Sequence, residues 1–475
     1  MGHYGLEMTE TTYVPQMDHW TEGMPSADQL AHIPGENGLP VMGNTIELLK
    51  DPHAFANRMV QTYGNVYRSH VLGTPTVSLI GPEANELVLR NRDKIFSNKQ
   101  GWGPTLDKLF PRGLMLMDFE EHRVDRKALA VAFAQGPMSN YCEALNAGME
   151  REIPSWRGEM AFYPAIKNLA LRLAAQSFVG LPWGSSESQK INDAFIGVVQ
   201  ATVAAIRVPL PGNKMKAGMD GRAFLIEYFT EETVRRRKSH DAGGPIGDDI
   251  FSQFAVATRE DGSLLSVGEV VDQMIFLMMA AHDTITSSAT STTYQLALHP
   301  EWQQTLRDEI WSVTGGLDES RNPLPLAYSD LGKLVKTEMV FEESLRMRPP
   351  LPVMPRRAMK AFEFGGYHIP AGTPVGIAMH YTQNSPEYWE HPERFDPERF
   401  SKDVEQKHHD FAWVPFGGGA HKCLGIRFAD MQIKLLMTHL LGRFDIVAEP
   451  DYSPKWQAFP IQQPKDGLQV TLRPI

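Results

Sequence analysis

The segment Phe416-Gly-Gly-Gly-Ala-His-Lys-Cys-Leu-Gly425 decides how this chain of 475 residues is interpreted. Three consecutive glycines remove side chains shortly before Cys423, so a flat and bulky ligand could approach the backbone closely there. From residue 426 onward the apolar residues recur with the period of an α-helix, which places Cys423 where the last helix begins. The unpaired N–H groups and the positive dipole end of a helix favour a thiolate at that position.

Three interpretations of Cys423 compete. A lone cysteine is most often a small, buried apolar residue. A nucleophilic cysteine would need a neighbouring base and oxyanion donors, and the sequence identifies neither. A thiolate that faces a surface lined by glycine is what an iron porphyrin needs on its proximal side.

The order F-x-x-G-x-x-x-C-x-G resembles the haem-binding motif of the cytochrome P450 family. The matching residues are Phe416, Gly419, Cys423 and Gly425. His421 stands where the family usually has arginine; it could donate to a haem propionate, with a charge that depends on pH. The resemblance implies haem b (iron protoporphyrin IX) as the cofactor and Cys423 as the ligand of its iron. The other haem-binding residues that it implies around the cysteine are Phe416, Gly417, His421 and Gly425.

A buried charge cluster is the second element of the resemblance. Glu343 and Arg346 are three residues apart on a predicted helix and share one of its faces. Arg399 follows in the segment Phe395-Asp-Pro-Glu-Arg-Phe400. Alone, the helical pair would be a surface ion pair of little value. In the family these three residues form a structural triad that braces the cysteine segment, and its loss should prevent haem retention because an unpaired buried charge is costly.

The longest predicted helix runs from Val267 to Leu298. Ser266 and Glu269 form a capping-box pattern at its start, and His299-Pro300 stops it. A helix of this length with apolar residues on most sides between 274 and 281 is expected to be buried.

Within this helix, Ala280-Ala-His-Asp-Thr-Ile285 resembles the oxygen-activation motif of the family, although Ala281 and Ile285 depart from its usual residues. The resemblance implies that Asp283 and Thr284 are catalytic. A threonine hydroxyl can bond to the helix backbone and open it locally, and an acid can relay protons. Both groups together favour oxygen activation over a peroxide-only or rearrangement-type member.

Propionate-binding residues are the fourth element. His122 and Arg126 are four residues apart on a predicted helix and resemble the H-x-x-x-R pattern of soluble family members. Arg356, after Pro349-Pro350, matches the further propionate arginine of the family, and Arg357 beside it is the less favoured choice. Each residue alone would more often be an ordinary exposed cation.

The four elements occur in the order found in the family, and the similarity extends from about Ile33 to Ile475. The fold class is therefore expected to be mainly α with a minor β part: the cytochrome P450 fold, a single large domain with the haem between the long central helix and the cysteine loop. We expect residues 1–25 to be a polar N-terminal extension and residues 26–475 to form the domain.

The substrate pocket of the family lies above the haem and is built from dispersed segments. The matching residues here are overwhelmingly apolar, which predicts a lipophilic substrate, although each could equally be ordinary core. Residues 203–210 are predicted to form the access lid. The predicted pocket residues are Trp102, Leu106, Leu109, Phe110, Met115, Phe276, Ala280, Val353, Met354, Ala458 and Phe459.

Composition bears on whether the protein binds nucleic acid and on its cellular compartment. A net charge of −11 argues against a general affinity for nucleic acid. The chain has two cysteines, which suits a reducing cytosol. No apolar run approaches the roughly 18 residues of a membrane span, and the first residues lack the pattern of a signal peptide. We expect a soluble, cytoplasmic protein.

The resemblance implies a monooxygenase that inserts one oxygen atom from O2 into a lipophilic compound such as a terpenoid, steroid or other lipid. No G-x-G-x-x-G fingerprint of a fused reductase is present, so a ferredoxin and a ferredoxin reductase are the expected electron donors. A haem-thiolate peroxygenase or isomerase and a non-catalytic lipid carrier or sensor remain alternatives. The basic residues expected to form a docking patch are Arg126, Lys127, Lys422, Arg427 and Lys434.

Overall fold

The structure, a computed structural model, describes residues 20–71, 73–204, 207–319, 322–403 and 408–475. Most of the predicted N-terminal extension, residues 1–19, lies outside the described residues, as do positions 205 and 206 of the predicted lid. Residues 20–25 of that extension are described, and in them Trp20 is buried and Met24 half-buried.

The expected mainly α architecture is confirmed. The α-helices of the described residues are α1 Thr45–Lys50, α2 Pro52–Tyr63, α3 Pro82–Arg90, α4 Asn98–Leu106, α5 Phe119–Leu129, α6 Gln135–Glu152, α7 Phe162–Val179, α8 Ser186–Thr202, α9 Lys214–Asp241, α10 Ile250–Ala255, α11 Val267–Leu298, α12 Pro300–Thr314, α13 Val335–Met347, α14 Met379–Asn384 and α15 Ile426–Leu441.

The minor β part consists of one five-stranded sheet, one three-stranded sheet and two small hairpins in the described residues. The strands are β1 Val66–Val71, β2 Thr74–Leu79, β3 Phe96–Ser97, β4 Gly158–Ala161, β5 Met354–Ala358, β6 Phe362–Phe364, β7 Tyr367–Ile369, β8 Pro374–Ile377, β9 Phe444–Val447, β10 Trp456–Gln457, β11 Gln463–Pro464 and β12 Gln469–Pro474. The larger sheet has the order β1-β2-β8-β5-β3, in which β2 and β8 run parallel and the other pairs antiparallel. Residues 66–80 contain β-branched residues in alternation and a glycine, a pattern that predicts a small hairpin, and they form the antiparallel pair β1-β2.

Helix α11 crosses the core and begins as predicted. The Ser266 hydroxyl accepts from the Glu269 N–H at 3.2 Å, and the Glu269 carboxylate accepts from the Ser266 N–H at 2.7 Å, which completes the capping box. The second half of α11 is rich in serine and threonine yet buried. The hydroxyls of Thr286 and Thr290 donate to the carbonyl oxygens four residues earlier, so they are buried without unpaired polar groups.

Candidate active site

Cys423 lies between the loop at 416–422 and the start of α15. Its N–H donates to the carbonyl of Phe416 at 2.9 Å, which closes the loop. The helix begins at Ile426, three residues after Cys423, and the backbone N–H of Gly425, the N-cap residue of that helix, donates to the sulfur. Burial raises the pKa of the Cys423 thiol, and Gly425 N–H and Arg126 oppose this effect. Cys423 is nevertheless exposed to solvent. Protein atoms therefore surround its thiol without covering it.

The three glycines of the loop have different surroundings, and not all of them face the space that was predicted for a flat ligand. A β-carbon at Gly417 would meet its nearest neighbour, the His421 carbonyl oxygen, at 3.7 Å, an ordinary van der Waals distance, so Gly417 is not closely packed. A β-carbon at Gly419, where φ is +60°, would overlap with the carbonyl oxygen of Leu89 at the end of α3. Gly418 also packs against Leu89. The expectation that all three glycines face a flat ligand is therefore wrong, because two of them attach the loop to α3.

The central part of α11 has an open face. Phe276, Ala280 and Thr284 are spaced four residues apart and are each only partly buried, whereas Ile275 and Met278 on the opposite side of the helix are buried. The expected burial of residues 274–281 is therefore incomplete on this face, which carries Phe276 and Ala280, two of the predicted pocket residues. An unfilled face on a helix that crosses the core indicates space for a ligand.

The segment from α4 to residue 116 connects the cysteine loop with this open face. The Asn98 amide lies 2.7 Å from Nδ1 of His421. At the other end, the Phe110 and Phe276 rings meet edge to face with 6.5 Å between their centroids, and Gly113 packs directly beneath Phe276. The cysteine loop and the open face of α11 therefore share one wall.

Four groups that can carry positive charge gather at the cysteine loop. The His122 and His421 rings stack with 3.7 Å between their centroids. Arg126 donates to the Lys422 carbonyl at 2.5 Å, and Arg356 donates to the Pro355 carbonyl at 2.8 Å. Nε2 of His122 is buried without a hydrogen-bond partner.

No ion pair joins these four groups to a carboxylate within the described part of the chain. Asp118, whose charge acts on Arg356, is bonded elsewhere: it accepts from the Ser97 hydroxyl and from the Asn98 N–H at 2.7 Å, at the start of α4. Arg356 is buried and Arg126 half-buried, and arginines without a paired carboxylate favour an anionic ligand. The two carboxylates of haem b, next to an open cysteine sulfur, fit this set of donors.

The two histidines of this cluster are neutral near pH 7. Burial, assisted by Arg126, lowers the pKa of His122 to about 4. Burial also lowers the pKa of His421 to about 2, with further contributions from His122, Arg356 and Arg126. The permanent positive charge therefore belongs to Arg126 and Arg356.

Arg357, the less favoured candidate, is committed elsewhere. Its guanidinium donates to the carbonyl oxygens of Gly372 at 3.0 Å, of Trp20 at 3.2 Å and of Glu22. It therefore binds the N-terminal segment on the side of β5 away from the histidines, and Arg356 is the arginine that belongs to the cluster.

Glu343 and Arg346 form a doubly hydrogen-bonded pair with no solvent exposure. Nε and Nη2 of Arg346 donate to the two carboxylate oxygens of Glu343 at 2.7 and 2.9 Å. Nη1 donates to the Gln383 carbonyl at 2.9 Å, and the Asp396 N–H donates to Glu343 at 3.0 Å. Burial raises the pKa of Glu343, and the hydrogen bonds from Arg346 and Asp396 oppose it.

Arg399 lies beside this pair. Its Nε is 3.5 Å from a carboxylate oxygen of Glu343, and its other nitrogens donate to the carbonyls of Glu390 and His391 at 2.5 and 2.8 Å. The three residues of the predicted triad are thus together, with the contact to Arg399 the longest. They connect α13 to the segment 390–400 that precedes the cysteine loop.

Asp283 and Thr284 are adjacent in sequence but point to different surroundings, as neighbours on a helix must. The Thr284 hydroxyl donates to the Ala280 carbonyl at 2.7 Å, on the open face of α11. Asp283 is buried and lies 3.3 Å from Nζ of Lys167 on α7 and 3.1 Å from Nδ1 of His282. Burial opposes ionisation of Asp283, but contact with His282 and the charge of Lys167 outweigh it and lower its pKa. Asp283 is therefore a carboxylate.

Sequence reasoning missed Lys167, His282 and Asn98. His282 stands inside the quoted motif and could have been noticed as a neighbour of the acid. Lys167 and Asn98 had no such signal, because their partners Asp283 and His421 are more than 100 residues away along the chain.

The predicted pocket residues divide into two groups. Gln462 links the C-terminal turn to the other walls, since its carbonyl accepts from Ser287 of α11 at 2.6 Å and its N–H donates to the Pro350 carbonyl at 3.1 Å. The partly exposed members are Trp102, Met115, Phe276, Ala280, Val353 and Phe459. The buried members, which are core by exposure, are Leu106, Leu109, Phe110, Met354 and Ala458.

The predicted basic docking patch needs correction. Lys434 is buried, 2% exposed, and pairs with Glu338 and Asp430 at 2.9 Å each, so it cannot belong to a surface. Lys127 is exposed but pairs with Glu260. Lys422 and Arg427 are the exposed cations next to Cys423.

Comparison with known proteins identifies the class of this fold and site. The family model that describes cytochrome P450 matches residues 33–472. A protein of Mycobacterium tuberculosis described as putative cytochrome P450 136 is 35% identical over 95% of this chain and 90% of its own. Taxane 13-alpha-hydroxylase of Taxus cuspidata is 28% identical over 92% of this chain and 91% of its own.

A solved structure agrees with these relatives. The cyanobacterial CYP120A1 with retinoic acid bound superposes with a TM-score of 0.82, at 28% identity, covering 93% of this chain and 99% of its own. The chain belongs to the cytochrome P450 family, and it is a haem-dependent monooxygenase oxidoreductase. Within the described residues no helix combines the length and apolar character of a membrane span.

The arginine pair on β5 gives a test of the cationic cluster. We expect Arg356→Gln to accelerate haem loss about tenfold or more, because a hydrogen bond to a charged group is worth about 1.5–3 kcal/mol. Transfer of haem to an excess of apomyoglobin measures the rate. Arg357→Gln is the matched control and should leave that rate near the wild-type value; equal acceleration by both substitutions would contradict the assignment of Arg356.

Proposed function

We propose that this chain uses haem b, held by Cys423, to oxidise a lipophilic terpenoid, steroid or related lipid with O2 and electrons from a ferredoxin. When bound, the haem supplies the iron at which oxygen is reduced and one oxygen atom is transferred to the substrate. The observation that carries the proposal is the exposed Cys423 beside the buried Arg356 and the half-buried Arg126, neither of which forms an ion pair with a carboxylate within the described residues.

The cationic cluster would fix the orientation of the cofactor. Arg126 and Arg356 would pair with the propionates, and His122 would donate from the nitrogen that has no partner in the protein. His421 would be held in position by Asn98 and by stacking on His122. Phe416 and Gly417 would border the haem on the side of the cysteine.

Thr284 and Asp283 would supply protons from opposite sides of α11. The Thr284 hydroxyl is on the open face and can exchange its bond to the Ala280 carbonyl for one to water or ligand. Asp283 is ionised and contacts Lys167, whose side chain is 33% exposed. Lys167 would pass solvent protons to Asp283, and water would complete the path to Thr284.

The substrate class rests on the chemistry of the walls and on relatives. The partly exposed wall residues are apolar, and Phe276, Ala280 and Phe459 offer no charged group. An apolar pocket with few polar groups suits a lipid. Relatives of this chain carry the names taxane 13-alpha-hydroxylase and taxane 10-beta-hydroxylase, and CYP120A1 was solved with retinoic acid, so a terpenoid-derived lipid is the first class to screen.

The electron donor would approach the surface nearest Cys423. Lys422 and Arg427 are exposed there and would attract an acidic ferredoxin. Lys127 contributes less than the sequence predicted, because Glu260 already neutralises it.

The experiment reconstitutes the holoprotein with ferredoxin, ferredoxin reductase and NADPH, and measures product and NADPH consumption with retinoids and other terpenoids. We expect Thr284→Val to lower product formation about 10²-fold while NADPH consumption continues. Thr290→Val is the control, because Thr290 lies on the same helix and makes the same type of hydroxyl bond, to Thr286.

The alternatives give other results. A peroxygenase or isomerase would keep its turnover in Thr284→Val, and a lipid carrier would show ligand-induced spectral shifts without product. Either outcome would contradict the monooxygenase proposal.

A further inference from the structure

The N-terminal residues 20–24 pack against the wall of the candidate pocket. Trp20 is 6% exposed, and its ring lies against Gly103 of α4 so closely that a β-carbon at Gly103 would overlap with it. Gly103 and Trp20 therefore interlock, because only glycine leaves room for the indole. An indole of this size removes a large apolar area from water where it docks.

The backbone of this N-terminal segment is held in a defined position. Arg357 of β5 donates to the carbonyl oxygens of Trp20 and Glu22, and its third bond, to the Gly372 carbonyl, keeps the guanidinium in place. A β-carbon at Gly372 would overlap with the carbonyl oxygen of Gly23, so the backbones of these two segments are in direct contact. Trp20 is thus held by backbone contacts with the β-sheet as well as by the packing of its own ring.

Helix α4 depends on such contacts for its shape. Its nine residues, Asn-Lys-Gln-Gly-Trp-Gly-Pro-Thr-Leu, contain two glycines and a proline within the helix, which are the weakest helix formers. The stability of α4 must therefore come from packing against its neighbours, because the helix propensity of its residues is low. One side of α4 lies on β5, where a β-carbon at Gly101 would be 2.6 Å from the Cα of Arg356. A further contact is that of Gly103 with Trp20, and α4 also contacts the segment Leu114–Leu116.

Helix α4 also reaches the candidate active site. Its first residue, Asn98, contacts His421, and it carries the predicted pocket residues Trp102 and Leu106. A shift of α4 would therefore move the pocket wall and leave Cys423 in place, since the loop of Cys423 is attached to α3 through Gly419.

We infer that Trp20 is a positioning residue for the substrate pocket: it holds α4 against β5 and thereby sets the room available to bulky apolar ligands. The inference rests on the proposed function, because it takes α4 as a wall of the pocket above the haem. Small ligands that bind at the iron do not depend on this wall, whereas ligands with a large apolar body do.

The test compares imidazole with 4-phenylimidazole, two ligands of haem iron that differ by an apolar ring. Kd values are measured by Soret titration of the holoprotein. In Trp20→Ala we expect the Kd of 4-phenylimidazole to change by about tenfold and that of imidazole by less than about twofold, as displaced pocket walls affect only groups that touch them. Trp20→Phe should restore most of the wild-type ratio.

Trp156→Ala is the matched control, because Trp156 is also 6% exposed but packs on Phe162, at the start of α7. Its ratio of the two Kd values should equal that of the wild type. If Trp20→Ala does not fold, Gly103→Ala displaces the same ring from the other side and should change the ratio likewise. An unchanged ratio in a folded variant, or an equal weakening of both ligands, overturns the inference.

Hydrogen exchange of residues 98–106 supplies a readout that needs no haem. Faster exchange there in Trp20→Ala than in Trp156→Ala supports the positioning role, and equal exchange overturns it. A wild-type protein that takes up no haem refutes the proposed function instead, and the exchange experiment still decides what Trp20 does.

Discussion

Arg346→Met is expected to lower the free energy of unfolding by about 3–5 kcal/mol, because it leaves a buried carboxylate without its partner. Glu343 has no solvent exposure and receives two hydrogen bonds from Arg346, whereas the other cation near it, Arg399, is 3.5 Å away. We expect the holoprotein yield to fall with stability, since the pair joins α13 to the segment before the cysteine loop. Denaturant unfolding, followed by circular dichroism, measures the effect.

A second glutamate–arginine pair supplies the control. Glu120 and Arg123 on α5 have the same spacing of three residues and the same shortest distance of 2.7 Å, but both are exposed. An exposed pair contributes about 0–1 kcal/mol, so Arg123→Met should have little effect. Similar losses for the two substitutions would show that burial of the Glu343–Arg346 pair is not what makes it important.

Asp283→Asn is expected to lower the rate of product formation about 10–10²-fold with little loss of bound haem. Asparagine keeps the size of the side chain but cannot carry a proton between Lys167 and the open face of α11, and general acid–base steps typically contribute 10²–10⁴-fold. The measurement is product formed per haem, together with its solvent isotope effect, which should increase when proton supply becomes slower.

Asp272→Asn is the matched control on the same helix. The Asp272 side chain is 11% exposed, against 12% for Asp283, and it is paired with Arg112 and Arg222 instead of Lys167. Its replacement should leave the isotope effect unchanged. If Asp283→Asn retained the wild-type rate and isotope effect, the acid of the motif would have no part in proton supply.

Local patterns allowed much of the fold to be predicted. The capping box at Ser266, the length of α11 and the β1-β2 hairpin follow from neighbouring residues and are confirmed. The family motif at residues 416–425 predicted the fold class because it is short and specific. These features depend on residues close together in sequence.

Contacts between distant segments were the part that could not be predicted. The ion pair of Asp283 joins α11 to α7, and Gly419 packs on Leu89, more than 300 positions earlier. Helical periodicity alone cannot distinguish a helix face that borders a ligand space from one that borders core, and Phe276 and Ala280 were predicted to line the pocket only because the family resemblance implied it. Lys434 was predicted to be exposed because its partners, Glu338 above all, are visible only in the fold.

The carbon monoxide difference spectrum of the dithionite-reduced holoprotein tests the central claim, that the thiolate of Cys423 binds the haem iron. Wild type and Cys142→Ala, which removes the buried second cysteine, should both give the strongly red-shifted Soret band of a thiolate-ligated haem. Cys423→Ala should lack that band. The same red-shifted band in folded, haem-loaded Cys423→Ala, or its absence from haem-loaded wild type, would contradict the account.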